Sequence, residues 1–223
     1  MTRRTRARPG DGLLLREEIL RAAEDLLIEA GTEEALTLRA VAARTGVSTP
    51  SVYLHFADKD ALVEAVCLRV WDELGRLIRE QSHGDPFRAL GRCGRAYIRF
   101  ALGHPVQYRV LMMRPATTEG VPPAAAACFG HMVAVVSACV ETGILRGDPE
   151  TLALGLWSAV HGCASLLIAQ PSFPWPDDLD AFADQCVRMA GFGSALLSRL
   201  PEHRVPAGRV LAAELDALAE RVT

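Results

Sequence analysis

Apolar residues recur along this chain three and four positions apart, the period of a helix laid against a core, and no strand-like alternation competes with that pattern. The first run holds Leu15, Ile19, Ala22, Ala23, Leu26 and Leu27 and stops at Gly31, a residue suited to the left-handed turn that ends a helix. Thr37 then caps a short segment carrying Leu38, Val41 and Ala42, Gly46 breaks it, and Ser48 caps another that puts Val52 and Phe56 on one face. Asp58 opens a long pattern, Leu62, Val66, Val70, Leu74, Leu77 and Ile78, which runs to the break at residues 82–86. Beyond it, Pro and Gly punctuation marks off helices over 87–102, 105–113, 123–142, 149–170, 178–200 and 206–221, with 114–123 and 171–176 as the most loop-like pieces. The predicted fold class is all-α: a three-helix N-terminal head joined by a connecting helix to a larger helical bundle. The expected domains are a flexible basic arm over 1–12, a head over 13–58 and a body over 59–223.

At 223 residues, half of them hydrophobic, the chain can bury a proper core. Its formal net charge of -3 argues against nucleic-acid binding only if it is uniform, because a whole-chain sum averages away a local basic patch. Six cysteines are spread without a CxxC pair, the N-terminus does not resemble a signal peptide, and no run approaches the ~18 consecutive apolar residues of a membrane span. Reduced thiols, a cytoplasmic location and no membrane partner are the expectations.

The segment from Thr37 to Phe56 carries the strongest functional signal. Ala42 is small where two helices touch, Gly46 makes the turn, and Val47 and Val52 plug the underside, which is the spacing of a helix-turn-helix. The second helix is short, so Thr49, Pro50 and Ser51 can project into a major groove; Pro50 costs nothing in a first turn whose N–H groups have no intrahelical partner. Thr37 and Ser48 stand at helix N-termini, where they are either plain caps or phosphate contacts. Arg39, Tyr53, His55 and Lys59 complete the DNA-facing set, which extends to the start of the connecting helix. Arg3, Arg4, Arg6 and Arg8 form a basic arm that either enters an adjacent minor groove or serves as a solubilising tail.

Gly31, Thr37, Val41-Ala42, Thr45-Gly46-Val47-Ser48, Val52-Tyr53, His55-Phe56, Lys59 and Leu62, taken as a set, closely resemble the DNA-binding head of the TetR family of transcriptional regulators. The resemblance implies a homodimer whose heads read the two halves of a palindromic double-stranded operator, with Thr37, Tyr53, His55 and Lys59 near phosphates. Two positions depart from the family pattern: Thr32 where many members carry an aromatic residue, and Thr49-Pro50 in place of a commoner Lys-Gly pair. The first predicts looser head packing and the second removes a phosphate contact.

In the body, Trp157, His161 and Gly162 within GLWSAVHG resemble the Trp-His-Gly signature of one group of TetR-type effector domains, as does the stretch from His104 to Met112. Trp157 and His161 lie four apart and share a helix face. With Trp71, Tyr97, Tyr108, Met112, Phe129 and Met132 they form the candidate effector set, enclosing a small and mainly apolar ligand or simply filling core. Trp157, Leu167, Phe182, Met189, Phe192 and Leu196 give the last long helices an amphipathic face that the resemblance assigns to the dimer. The reading is therefore a ligand-responsive DNA-binding regulator, most simply a repressor released by its effector, and not an enzyme: GxSxG, P-loop and HExxH motifs are absent, and no cofactor or metal is expected. A rival keeps the head and makes the body a metal or thiol sensor through Cys128 and His131, three residues apart.

Overall fold

A computed structural model describes residues 11–113, 121–200 and 206–222. The arm with Arg3, Arg4, Arg6 and Arg8 lies outside them, as does most of the loop expected at 114–123. Those residues form α1 (Asp11–Ala30), α2 (Leu38–Thr45), α3 (Thr49–Tyr53), α4 (Lys59–Gln81), α5 (Pro86–Gly103), α6 (Pro105–Met113), α7 (Pro123–Glu141), α8 (Pro149–Ala169), α9 (Leu179–Leu197) and α10 (Gly208–Val222), with no strand among them. The all-α class and every expected helix are present.

Short polar side chains set the helix starts. The hydroxyl of Thr37 accepts the Ala40 N–H at 3.1 Å, the Ser48 hydroxyl accepts that of Ser51 at 3.3 Å, and the Asp58 carboxylate accepts that of Ala61 at 2.7 Å. Each such cap contributes about 1 kcal/mol. Between α2 and α3 the chain must turn within three residues. Gly46 does so at φ 68, where a side chain would be strained, and the Val47 N–H returns to the Ala42 carbonyl at 3.0 Å.

One hydrophobic core runs through the boundary expected at 58–59. Ile19, Leu27, Leu36, Val41 and Val52 fill the head; Leu62, Val66, Val70, Leu74 and Ile78 line one face of α4 and carry the same core into Ile98, Ala101 and Tyr108 of the body. α6 packs against both α4 and α1, and Arg109 donates to the Gly31 carbonyl at 3.4 Å. Arg69 ties α4 to Glu17 and Glu24 of α1 at 2.8 and 3.0 Å. The Thr32 hydroxyl accepts the Glu34 N–H at 3.2 Å, and fully buried Leu36 supplies apolar bulk in the same loop.

In the body, α5 packs on α7, α8 and α9, and α7 lies along α4. α7 and α8 are long and apolar enough to cross a membrane by length and composition, with a mean hydropathy of 1.7 over their most apolar windows; here they pack against each other and against α5 as body helices. The outer apolar face differs in detail from the expected one. Leu167 is buried and Trp157 turns inward, whereas Leu154 and Leu166 of α8 and Met189, Phe192 and Leu197 of α9 are exposed. α10 is almost wholly exposed, with Val210, Leu215 and Leu218 on its surface.

Candidate DNA-reading head and effector cleft

The head presents α3 as a short ledge. Val52 is completely buried and anchors it, while Pro50 and Tyr53 are exposed and Thr49, Ser51 and His55 are half-buried around them. Thr37, Arg39 and Ser48 are exposed at the starts of α2 and α3. The hydroxyls of Ser48 and Ser51 lie 2.8 Å apart. Lys59 differs from the others: its Nζ donates to the Glu33 carbonyl at 2.8 Å, fastening the first turn of α4 to the loop between α1 and α2. Leu54, 85% exposed beside Tyr53, went unnoticed in the sequence because it continues an apolar pattern.

Four of the candidate effector residues meet in a closed polar cluster between α5, α6 and α8. Trp157 Nε1 donates to the Tyr97 hydroxyl at 3.1 Å, the hydroxyls of Tyr97 and Tyr108 stand 3.0 Å apart, and Tyr108 Oη is 2.6 Å from His161 Nδ1. His161 Nε2 reaches the Ser165 hydroxyl at 3.3 Å. One proton assignment uses every donor: Trp157 to Tyr97, Tyr97 to Tyr108, Tyr108 to Nδ1, and a neutral His161 donating from Nε2 to Ser165. Burial agrees with it, because loss of water holds His161 below its ordinary range and raises both tyrosines.

A mainly apolar open cleft of about 370 Å³ lies elsewhere, between α5 and α9, and reaches Ile78, Met132, Leu156 and Val160. Of the expected effector residues, Tyr97 and Met132 line it; Trp71, Tyr108, Met112, Phe129, Trp157 and His161 do not. The physical reason is that Tyr108, Trp157 and His161 satisfy one another, while Trp71, Met112 and Phe129 pack against the core. Gly94 brings the two helices close at this cleft, since a Cβ there would stand 3.0 Å from Val187 Cγ1, and Phe87 and Phe192 meet edge to face at 5.2 Å. Arg88, Arg92, Arg95 and Arg188 supply its charge.

Comparison with known proteins matches residues 19–66 to the bacterial regulatory proteins of the tetR family and residues 90–190 to the tetracyclin repressor-like C-terminal domain. The chain belongs to the TetR family. It is 29% identical to an uncharacterized HTH-type transcriptional regulator of Mycobacterium tuberculosis, over 82% of this chain and 83% of that one. A second relative from M. tuberculosis, an HTH-type transcriptional repressor, is 42% identical over 40% of this chain and 47% of its own length. Among solved structures, a protein of unknown function from Rhodococcus sp. RHA1 superposes with a TM-score of 0.71 at 24% identity, covering 81% of this chain and 95% of that one. Members of this family are DNA-binding transcription factors and not enzymes, and the chain shares that class.

Set against the TetR-family frame, the arginines of the cleft are what sequence reasoning missed. Arg88, Arg92, Arg95 and Arg99 recur at helical spacing on α5, a visible stripe that reads as an ordinary solvated face until α9 is laid beside it. The sensor rival gains no support from the geometry. Cys128 is buried and its thiol is pushed up to about 12 by desolvation, His131 Nε2 bonds Arg79 at 2.7 Å, and no group of three His, Cys, Asp or Glu side chains suited to a metal occurs among the described residues. All six cysteines are free thiols.

Proposed function

We propose that this TetR-family regulator is a repressor that binds a palindromic operator as a homodimer and is released by a small, mainly apolar effector. The observation that carries the reading is α3, a five-residue helix held to the head by buried Val52 while Tyr53 and the polar turn before it face outward. A major groove admits such an element, with Thr49, Pro50 and Ser51 toward base edges and Thr37, Arg39, Ser48, Tyr53, His55 and Lys59 toward phosphates. Lys59 keeps two further N–H donors beyond the one given to Glu33. The exposed apolar residues of α8 and α9 support an isologous dimer: Leu166 follows Gly162, Ala159 and Gly155 at helical spacing on α8, and α9 exposes Met189, Phe192 and Leu197.

The effector site in this reading is the cleft between α5 and α9. Tyr97 lines it and is hydrogen-bonded to Tyr108 of α6, and α6 in turn packs on α4 and α1. A ligand that favours one placement of Tyr97 thereby biases α6 and the angle at which α4 holds the head, a population shift for which a coupling of about 1 to 3 kcal/mol is typical.

The test is fluorescence anisotropy of the full chain across a salt series, against DNA from upstream of its own gene and of the divergent neighbour, with a Tyr53→Ala control. The expected result is salt-sensitive binding to one near-palindromic fragment, ~1,000-fold or more tighter than to random DNA, and weakened by Tyr53→Ala. Equal affinity for all fragments from a genome-wide selection overturns the operator reading.

A further inference from the structure

α5 and α9 run antiparallel, and their facing charges form a ladder. Arg99 pairs with Asp180 at 3.3 Å and Arg95 with Asp184 at 2.7 Å. The next step of four along α9 is Arg188, where a third acid would continue the pattern. Arg188 instead lines the cleft together with Arg88 and Arg92 from the first half of α5. Arg92 turns away and donates to the carbonyls of Gln81 and His83. Arg88 and Arg188, both exposed, have no side-chain hydrogen bond or ion pair among the described residues, and both line the cleft. Like charges converging beside an apolar hollow repel one another, and an anion seated between them removes that repulsion.

We propose that the cleft takes an anionic amphiphile, a carboxylate on a medium-length hydrocarbon tail, with the head group on Arg88 and Arg188 and the tail among Leu90, Met132, Leu156 and Val160. This inference rests on the reading of the cleft as the effector site. Guanidinium forks match a planar carboxylate two bonds at a time, and the apolar walls exclude a compact, fully hydrated anion. Gly91 keeps the hollow open, since a Cβ there would meet only the far end of Arg95, at 3.5 Å.

Calorimetric titration of the full-length protein with octanoate, 1-octanol and octylamine, in the absence of DNA, tests the assignment. Octanoate is expected to bind about tenfold or more tightly than octanol, the worth of one charge-assisted hydrogen bond, and octylamine weakest of the three. Arg88→Gln with Arg188→Gln should bring octanoate down to the affinity of octanol and leave octanol unmoved, while Arg146→Gln, exposed and far along the chain, changes nothing. Gly91→Leu should abolish binding of both ligands with a melting temperature unchanged or slightly raised. Equal affinities for octanoate and octanol, or octanoate binding indifferent to Arg88 and Arg188, overturns the anion site. Octanol binding that survives Gly91→Leu removes the cleft itself. An operator complex that withstands saturating octanoate, alongside the expected arginine dependence, instead overturns the effector reading and leaves the anion site standing.

Discussion

Two polar constellations lie back to back in the body, sharing Tyr97, and they are built on opposite plans. Around Tyr97, Tyr108, Trp157 and His161 every donor finds an acceptor within the protein. Arg88 and Arg188, by contrast, have no side-chain hydrogen bond or ion pair among the described residues, and both line the cleft. A buried network that is complete fixes how α5, α6 and α8 sit, and a set left incomplete at an opening is available to a ligand. Aromatic residues that look like a binding site in the sequence here satisfy one another as a frame, and arginines that look like surface are the recognition groups of the proposed anion site.

The contrast is sharpest at two glycines of α5. Gly94→Val should cost about 2 to 3 kcal/mol by overpacking against Val187, lowering the melting temperature by several degrees, whereas Gly91→Ala should be neutral or stabilising by up to ~1 kcal/mol. Equal destabilisation by the two would mean that the cleft is not open. Next in size is Tyr97→Phe. It strips Trp157 Nε1 of its acceptor, a loss of about 1 to 3 kcal/mol in chemical denaturation, and it should alter the ligand response more than the unliganded operator affinity. The smallest effect is on pH dependence. Burial lowers the pKa of His161 from 6.5, so the unfolded chain binds the proton more readily; the contribution of the neutral ring is fully present above pH 6.5 and is lost as pH falls below it toward the folded value. His161→Gln should flatten the pH dependence of stability over that acidic interval and leave the slope above it unchanged, as thermal melts in a pH series would show.

The helices and the head were legible in the sequence because their determinants are local. Thr37, Gly46, Ser48 and Asp58 act within three or four residues of themselves, and the apolar face of α4 follows from spacing alone. The body site was not, because what decides it is which side chains answer one another across helices. Tyr97 and His161 are 64 residues apart and Arg95 and Asp184 are 89 apart, and no periodicity reports such pairings. For the same reason the outer face of α8 was read through Trp157 and Leu167, while the structure turns both inward and leaves Leu154 and Leu166 outside.

Lys59 bears on what kind of signal can reach the DNA. Because its ammonium group holds the Glu33 carbonyl, and Arg69 holds Glu17 and Glu24, the first half of α4 is fastened at two levels, to the loop that follows α1 and to α1 itself. In the proposed mechanism a force delivered along α4 reaches the head through these ties, none of which touches α3. Under the proposed function the choice of bases is written into α3 itself, whereas the distance between the two heads of a dimer is set by how the bodies hold α4. In the proposed mechanism a ligand changes the second and leaves the first untouched, so that the chain would store an address and a switch in separate mechanical parts.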